Sequence, residues 1–346
     1  MGRRSRTSAR DESLSQQPIP APVALEPQRV PRVSPRGVLG RLQGLLFISP
    51  ALAVLAIFLI YPAYYTIRLA FYQSDFLFKF THAIGIDNFK NLLTNDPDFL
   101  DVSKFHGVNI LRELFYKNDG GALINNLHWV VFYISLSLVF GLALAVLAAR
   151  VRYERIVKSV IFVPMAISAT AAGIIWLFVY NFDPTIGIVN AIIQPFHNPV
   201  AWVGKPSTVN YALIFAYVWA STGFAMVVLS AAIKGIPTEI IEAARVDGAG
   251  EWAIFRRVMV PMLSLPIAVV TVWLFINVIK VFDIIYVMTG GGPGTTSRVI
   301  AYTMYEETFA NGRPGYGAAV AALMLVFMIP VMLLNIRRFR SERVTN

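Results

Sequence analysis

The chain has 346 residues with a mean hydropathy of +0.59; 56% are hydrophobic and only 14% charged, against about 25% charged in a soluble globular domain. It holds no cysteine, which excludes disulfides, thiol nucleophiles and cysteine-held metals, and its four histidines (His82, His106, His128, His197) show no ligand spacing. The formal charge of +10 does not describe a nucleic-acid groove, because residues 1–43 carry +5 of it and residues 337–346 carry +3.

In chain order, residues 1–43 are rich in Pro, Ser and Arg without apolar periodicity, and read as a disordered basic tail. The first apolar run starts too far in, and runs on too long, for a cleaved signal peptide, so it is predicted to be an uncleaved span. Six uncharged windows each supply the roughly 20 apolar residues that cross about 30 Å of hydrocarbon. Helices are predicted near 45–66, 128–149, 158–180, 209–233, 262–287 and 317–336, with Pro164 and Pro330 kinking the third and sixth. The predicted fold class is an all-α membrane protein, with a transmembrane domain over 44–338 and a short tail over 339–346. No internal repeat is visible, and a transporter of two inverted halves would show one more readily.

Basic residues set the orientation. Arg150, Arg152, Arg155 and Lys158 lie in the turn after the second span, and Lys234, Arg245, Arg256 and Arg257 in the loop after the fourth. The C-terminus carries Arg337, Arg338, Arg340 and Arg343, whereas 181–208 has only Lys205 and 289–316 only Arg298 and Arg313. The positive-inside rule then places both ends in the cytoplasm of a multi-pass cell-membrane protein. The loop 67–127 is nearly charge-balanced and is predicted to form a small folded cap outside.

The segment 234–261, between the fourth and fifth spans, is longer and more charged than a turn requires. Pro237 opens a helix over PTEIIEAARVD with Glu242 and Arg245 on one face, and Gly248 and Gly250 stop it. A second helix, EWAIFRRVMV, puts Trp252, Phe255 and Met259 on one apolar stripe beside Arg256 and Arg257, and Pro261 ends it. Such an elbow reads either as a helix lying on the bilayer surface or as a docking knob for a cytoplasmic partner.

The spacing Glu242-Ala243-Ala244, then Gly248, then Val258, Val260 and Pro261 resembles the EAA loop of binding-protein-dependent ABC transporter permeases. With six spans and the loop between the fourth and fifth, the resemblance covers roughly residues 40–340. It implies that the elbow, through Glu242, Ala243, Ala244, Asp247, Gly248, Trp252, Phe255 and Pro261, couples to a separate ATPase. The partners it implies are two ATPase copies, which use ATP and Mg, a second homologous permease and an extracytoplasmic sugar-binding protein. The chain itself then needs no cofactor, metal or catalytic residue, and it contains no G-x-x-x-x-G-K-[ST] phosphate loop.

FDIIYVMTGGGPGTTS (282–297) and IPTEIIEAARVDGA (236–249) resemble the sugar permeases of maltose and α-glucoside type. That resemblance places Tyr217, Ala220, Ser221 and Phe224 at a mid-membrane sugar site, although an aromatic stripe on a span also reads as packing. On the fifth span Asn277, Lys280 and Asp283 are polar at membrane depth; Lys280 and Asp283 read either as substrate contacts or as a pair. The glycine run is explained by a turn capping the fifth span. A stand-alone secondary transporter of a small polar solute and a non-transporting membrane scaffold are the competing readings.

Overall fold

A computed structural model describes residues 38–101, 120–149 and 151–345, with side chains described between Leu45 and Leu333. The expected disordered tail lies, up to residue 37, outside the described residues. The chain divides after Ile60 into two compact units. The first holds helix α1 (Val38–Leu55), which includes Pro50 and continues into a π turn, Ala56–Ile60.

The second unit opens with α2 (Tyr61–Leu69) and a hairpin of β1 (Tyr72–Ser74) and β2 (Phe80–Ala83), antiparallel with Gln73 opposite His82. Helix α3 (Asp87–Thr94) follows, its Asp87 at the N-terminal end where a carboxylate suits the helix dipole. The hairpin and α3 fall within the loop 67–127, which the sequence reading expected to fold as a cap. The bundle proper then comprises α4 (Ala122–Ala149), α5 (Glu154–Phe162), α6 (Ala169–Val179), α7 (Ile188–Ile193) and α8 (Pro206–Lys234). After it come α9 (Thr238–Val246), α10 (Glu251–Met262), α11 (Ser264–Ile279), α12 (Asp283–Met288), α13 (Ile300–Tyr305) and α14 (Pro314–Thr345).

Among the described residues, four continuous helices are long and apolar enough to cross a membrane: Leu45–Leu69, Ala122–Ala149, Pro206–Lys234 and Pro314–Leu333. Two further candidates are bent pairs, Glu154–Ala166 with Ala169–Val179 at 101° and Glu251–Met262 with Ser264–Ile279 at 69°. The third predicted span is therefore broken, not merely kinked. Pro164 has no N–H to give the Val160 carbonyl and its ring crowds that oxygen, so the helix tightens into a 3₁₀ turn, Val163–Ala166. Ile167 and Ser168 are extended, and the Ser168 hydroxyl accepts the Ala171 N–H at 3.2 Å, capping α6.

The fifth predicted span, 262–287, is likewise two helices. α11 stops at Ile279, Lys280 stands at its C-terminal end, and α12 restarts with Asp283 in its first turn. Each charge sits where the helix dipole favours it, a cation at the carbonyl end and a carboxylate at the N–H end. Lys280 and Asp283 are both exposed, and no ion pair joins them among the described residues. The reading of the two as a pair at one-turn spacing fails because the helix that would set that spacing ends between them. α14, by contrast, continues without interruption through Pro330 and on to Thr345, across the segment expected to be a short tail.

The core lies between α4 and α8, with α6, α11, α12, α13 and α14 packed around them. Gly141 of α4 lets these two helices touch, since a Cβ there would stand 2.5 Å from the Ala225 Cβ. Buried asparagines tie the loop carrying the glycine run to this pair. Asn125 donates to the Thr296 and Arg298 carbonyls at 2.8 Å each, and Asn210 donates to Thr296 at 2.9 Å. Asn126 accepts the Ile300 N–H at 2.6 Å and donates to the Val278 carbonyl at 3.1 Å. The Thr296 and Arg298 carbonyls lie in the loop outside the helices, and the amides satisfy them inside an apolar bundle. The glycine run is a turn after the fifth-span helices, held from beneath.

Candidate functional site

The break after Pro164 opens a cavity of about 190 Å³ inside the bundle. α8 contributes Tyr217, Ala220 and Ser221 to its wall, and α11 contributes Trp273 and Asn277. Pro164, Met165 and Ile167 close it from the broken helix, and Ile284 of α12 from below the second break. Four of the seven residues named from sequence thus line one cavity: Tyr217, Ala220, Ser221 and Asn277.

Its polar groups are few and directed. Tyr133, fully buried on α4, donates its hydroxyl to Ser221 at 2.9 Å, which leaves the Ser221 proton free to turn toward the cavity. Asn277 donates one N–H back to the Trp273 carbonyl at 2.8 Å, leaving its second N–H and its carbonyl oxygen uncommitted. Tyr217 packs against Trp129 and Tyr133 with ring centroids 5.8 and 5.0 Å away, so its ring is held by two buried aromatics. The wall is aromatic and apolar with a small number of hydrogen-bonding groups, the composition of a site for a neutral polar ligand.

The other three residues lie elsewhere. Phe224 is not on the cavity wall; it stacks on Trp273, centroids 4.0 Å apart, and acts through that ring. Lys280 is exposed at the end of α11. Asp283 is exposed too, in the first turn of α12. Sequence reasoning missed Trp273, Tyr133 and the Pro164–Ile167 wall. Trp273 precedes Asn277 by one helical turn, and Ser168 before an apolar run is an N-cap signal, so both were within reach. Nothing in the second span marked Tyr133.

The elbow is a separate feature. α9 ends in a Schellman motif: the Ala249 N–H donates to the Ala244 carbonyl and the Gly248 N–H to Arg245, at 3.0 Å each. Gly248 takes φ +81°, with open space where a side chain would stand, so glycine is required by the backbone and not by crowding. Gly250 does not share that conformation; its φ is −69°, and it caps α10 from an extended backbone. Nor does Pro261 end the second helix. It lies in the turn Val260–Met262, after a π turn, Phe255–Met259, in which the Val260 N–H reaches the Phe255 carbonyl; the bend comes at Leu263. The wider π turn relieves the crowding between the proline ring and the carbonyl four residues back.

Glu242, Ala243, Asp247 and Gly248 are exposed and Ala244 is half-buried. Arg245 does not pair with Glu242; it reaches across the elbow to Glu251 at 3.0 Å. Val246 is 87% and Trp252 71% exposed, large apolar surfaces on a charged segment. Trp252 stacks on Phe255, and with Met259 they border a groove of about 630 Å³ whose other wall is Val139, Leu142 and Val146 of α4.

Residues 137–337 match the family described as the binding-protein-dependent transport system inner membrane component. The chain belongs to this family. As an inner membrane component of such a system it is embedded in the membrane by its apolar helices and serves transport. It is 40% identical over 302 residues to the osmoprotective compounds uptake permease protein GgtC of Synechocystis, covering 86% of this chain and 99% of that one. It is 36% identical to the alpha-glucoside transport system permease protein AglF of Rhizobium meliloti, covering 86% and 82%. The trehalose/maltose transport system permease protein MalF of Thermococcus litoralis is 28% identical, covering 86% and 95%. In fold, this inner membrane component matches a chain of a bacterial ABC transporter involved in the import of the acidic polysaccharide alginate. The TM-score is 0.65 at 23% identity, covering 88% of this chain and 98% of that one.

Proposed function

We infer that this chain is the permease subunit of an ATP-driven sugar importer, forming half of the pathway and docking a separate ATPase on its elbow. The observation that carries the sugar reading is the cavity at the helix break. There Tyr217 and Trp273 supply aromatic surface, and Ser221 and Asn277 supply neutral hydrogen-bonding groups, with no metal ligand set. At about 190 Å³ it is smaller than the roughly 300–1,000 Å³ of an ordinary small-molecule pocket. A site shared with a second, homologous permease accounts for the difference.

The ATPase reading rests on the elbow. Exposed Glu242 and Ala243, the apolar Val246 and Trp252, and a backbone fixed by Gly248 offer a preformed helix end for a groove on another protein. ATP and Mg belong to that partner. An extracytoplasmic sugar-binding protein delivers the substrate on the opposite face, and both chain ends lie in the cytoplasm, in keeping with the arginine distribution. Relatives whose names specify alpha-glucosides and trehalose/maltose favour a small saccharide as cargo.

The test is uptake by the co-expressed complex in vesicles, using labelled maltose, trehalose and sucrose with ATP inside. ATP-dependent accumulation of at least one sugar supports the reading; accumulation driven by an ion gradient without ATP replaces it with a secondary transporter.

A further inference from the structure

A larger opening lies apart from the mid-bundle cavity, between the segment 72–98 and the segment 298–316, with a volume of about 800 Å³. We propose that this crevice binds a neutral, polyhydroxylated ligand of oligosaccharide type, as a site separate from the cavity at Asn277. The proposal rests on the sugar-import reading above.

The lining carries the argument. Helix α3 presents Asn88, Asn91 and, just past its end, Asn95 to the crevice, spaced three and four residues apart and so on one face. Leu92 is fully buried beneath them. Asn88 is buried and gives its amide N–H groups to the Ala70 and Tyr72 carbonyls at 2.9 and 3.3 Å, so it braces the wall, whereas the exposed Asn91 and Asn95 offer amide donors and acceptors together without net charge.

The charged groups opposite are matched to one another. Tyr316 donates to Asp96 at 2.7 Å; Arg298 bridges Asp98 at 3.1 Å and Glu306 at 2.9 Å; Arg313 pairs with Glu307. A crevice whose carboxylates are already paired is a poor seat for a bare cation, and no group of three or more metal-ligating side chains is found among the described residues. What remains is an array of fixed N–H groups and carboxylate oxygens. Two of these, the Arg298 Nε–H and the Glu306 Oε2, are buried without a hydrogen-bond partner. A hydroxyl both donates and accepts, so a vicinal diol can join a guanidinium N–H and a carboxylate oxygen as few other neutral groups can. The volume fits a ligand larger than the mid-bundle cavity admits, within the usual range for small-molecule sites.

Saturation-transfer NMR tests this on the assembled membrane complex in nanodiscs without its extracytoplasmic binding protein, with maltose, trehalose and sucrose as probes. Asn91 and Asn95 are exposed and bond to each other, so Asn91→Leu with Asn95→Leu removes both amides without unpacking the cap. We expect at least one sugar to give a signal that falls several-fold in this double variant and persists in Asn277→Leu. No signal in the wild type, an unchanged signal in the double variant, or loss confined to Asn277→Leu would each overturn the site. Vesicle uptake separates this from the parent reading: sugar import with no crevice signal removes only the crevice, whereas absence of import of every sugar removes the importer reading itself.

Discussion

Phe224 of α8 lies face to face with Trp273 of α11, ring centroids 4.0 Å apart and planes inclined by 27°. The two rings join the fourth and fifth spans at the level of the cavity, and Trp273 turns its remaining surface to the cavity wall. Phe224 therefore supports the site from behind.

Phe224→Ala should leave the complex assembled and lower sugar uptake several-fold, because a stacked aromatic partner is worth about 0.5–1.5 kcal/mol beyond its buried area. Trp273→Ala should be the more severe of the two, since it removes the wall and the stack together. ATP-dependent uptake in vesicles at equal complex yield decides; a smaller defect in Trp273→Ala than in Phe224→Ala would contradict this order.

Asn277→Leu keeps the size of the side chain and removes the uncommitted amide groups facing the cavity. If those groups hold a sugar hydroxyl, transport should fall about fivefold or more, in line with about 1–3 kcal/mol for leaving a buried polar group of the ligand unmatched. Basal ATP hydrolysis by the complex should be unchanged, as Asn277 is not on the elbow segment 234–261. Normal uptake in this variant would move the site elsewhere.

On the elbow, Glu242→Ala should reduce the ATPase retained on affinity-purified permease, or uncouple hydrolysis from uptake. A carboxylate buried in a partner's groove leaves its cation unpaired when removed, at about 3–5 kcal/mol. Gly248→Val should act alike through the backbone, because a β-branched residue is a steric outlier at φ +81°. Wild-type ATPase retention and wild-type coupling in both variants would leave the elbow as an interfacial helix only.

The ion pair of Arg298 with Asp98 joins the segment after the glycine run to the segment 72–98, and its pair with Glu306 lies within the former. Burial raises the Glu306 carboxyl above the usual carboxylate range, with Arg298 opposing the shift. A carboxyl with a raised folded-state pKa opposes folding when ionised, so its unfavourable contribution is relieved as pH falls through that raised value. Glu306→Gln should accordingly change thermal stability little, and should flatten any rise in stability seen between neutral and mildly acidic pH. Arg298→Gln should cost more, between the roughly 1 kcal/mol of an exposed pair and the 3–5 kcal/mol of a buried one, since it strands two carboxylates. Melting of the detergent-solubilised complex checks both.

Single cysteines test the orientation. Tyr153→Cys and Arg343→Cys should react with an impermeant maleimide only after the inner face is opened, and Thr295→Cys should react in intact cells. Labelling of position 153 from outside would reverse the topology.

Composition and periodicity alone determined that this is an all-α membrane protein, because hydrocarbon admits few charges and an apolar run of some twenty residues has little other use. They also located the elbow helix at 238–246 and its stop at Gly248, where the signal is local: a proline and a glycine within a dozen residues. What they left undecided depended on where helices end and on contacts distant in the chain. Whether Pro164 kinks or breaks its helix turns on whether Ser168 finds the geometry to cap a new one. Whether Lys280 and Asp283 pair turns on whether α11 persists between them, and it ends instead at Ile279. Tyr133 meets Ser221 across 88 residues of sequence, and no spacing on either helix announces it. An apolar pattern fixes which face of a helix avoids water, but in lipid nearly every face does; which residues meet across the bundle is then set by close packing, as where Gly141 admits Ala225, and only the folded chain shows it.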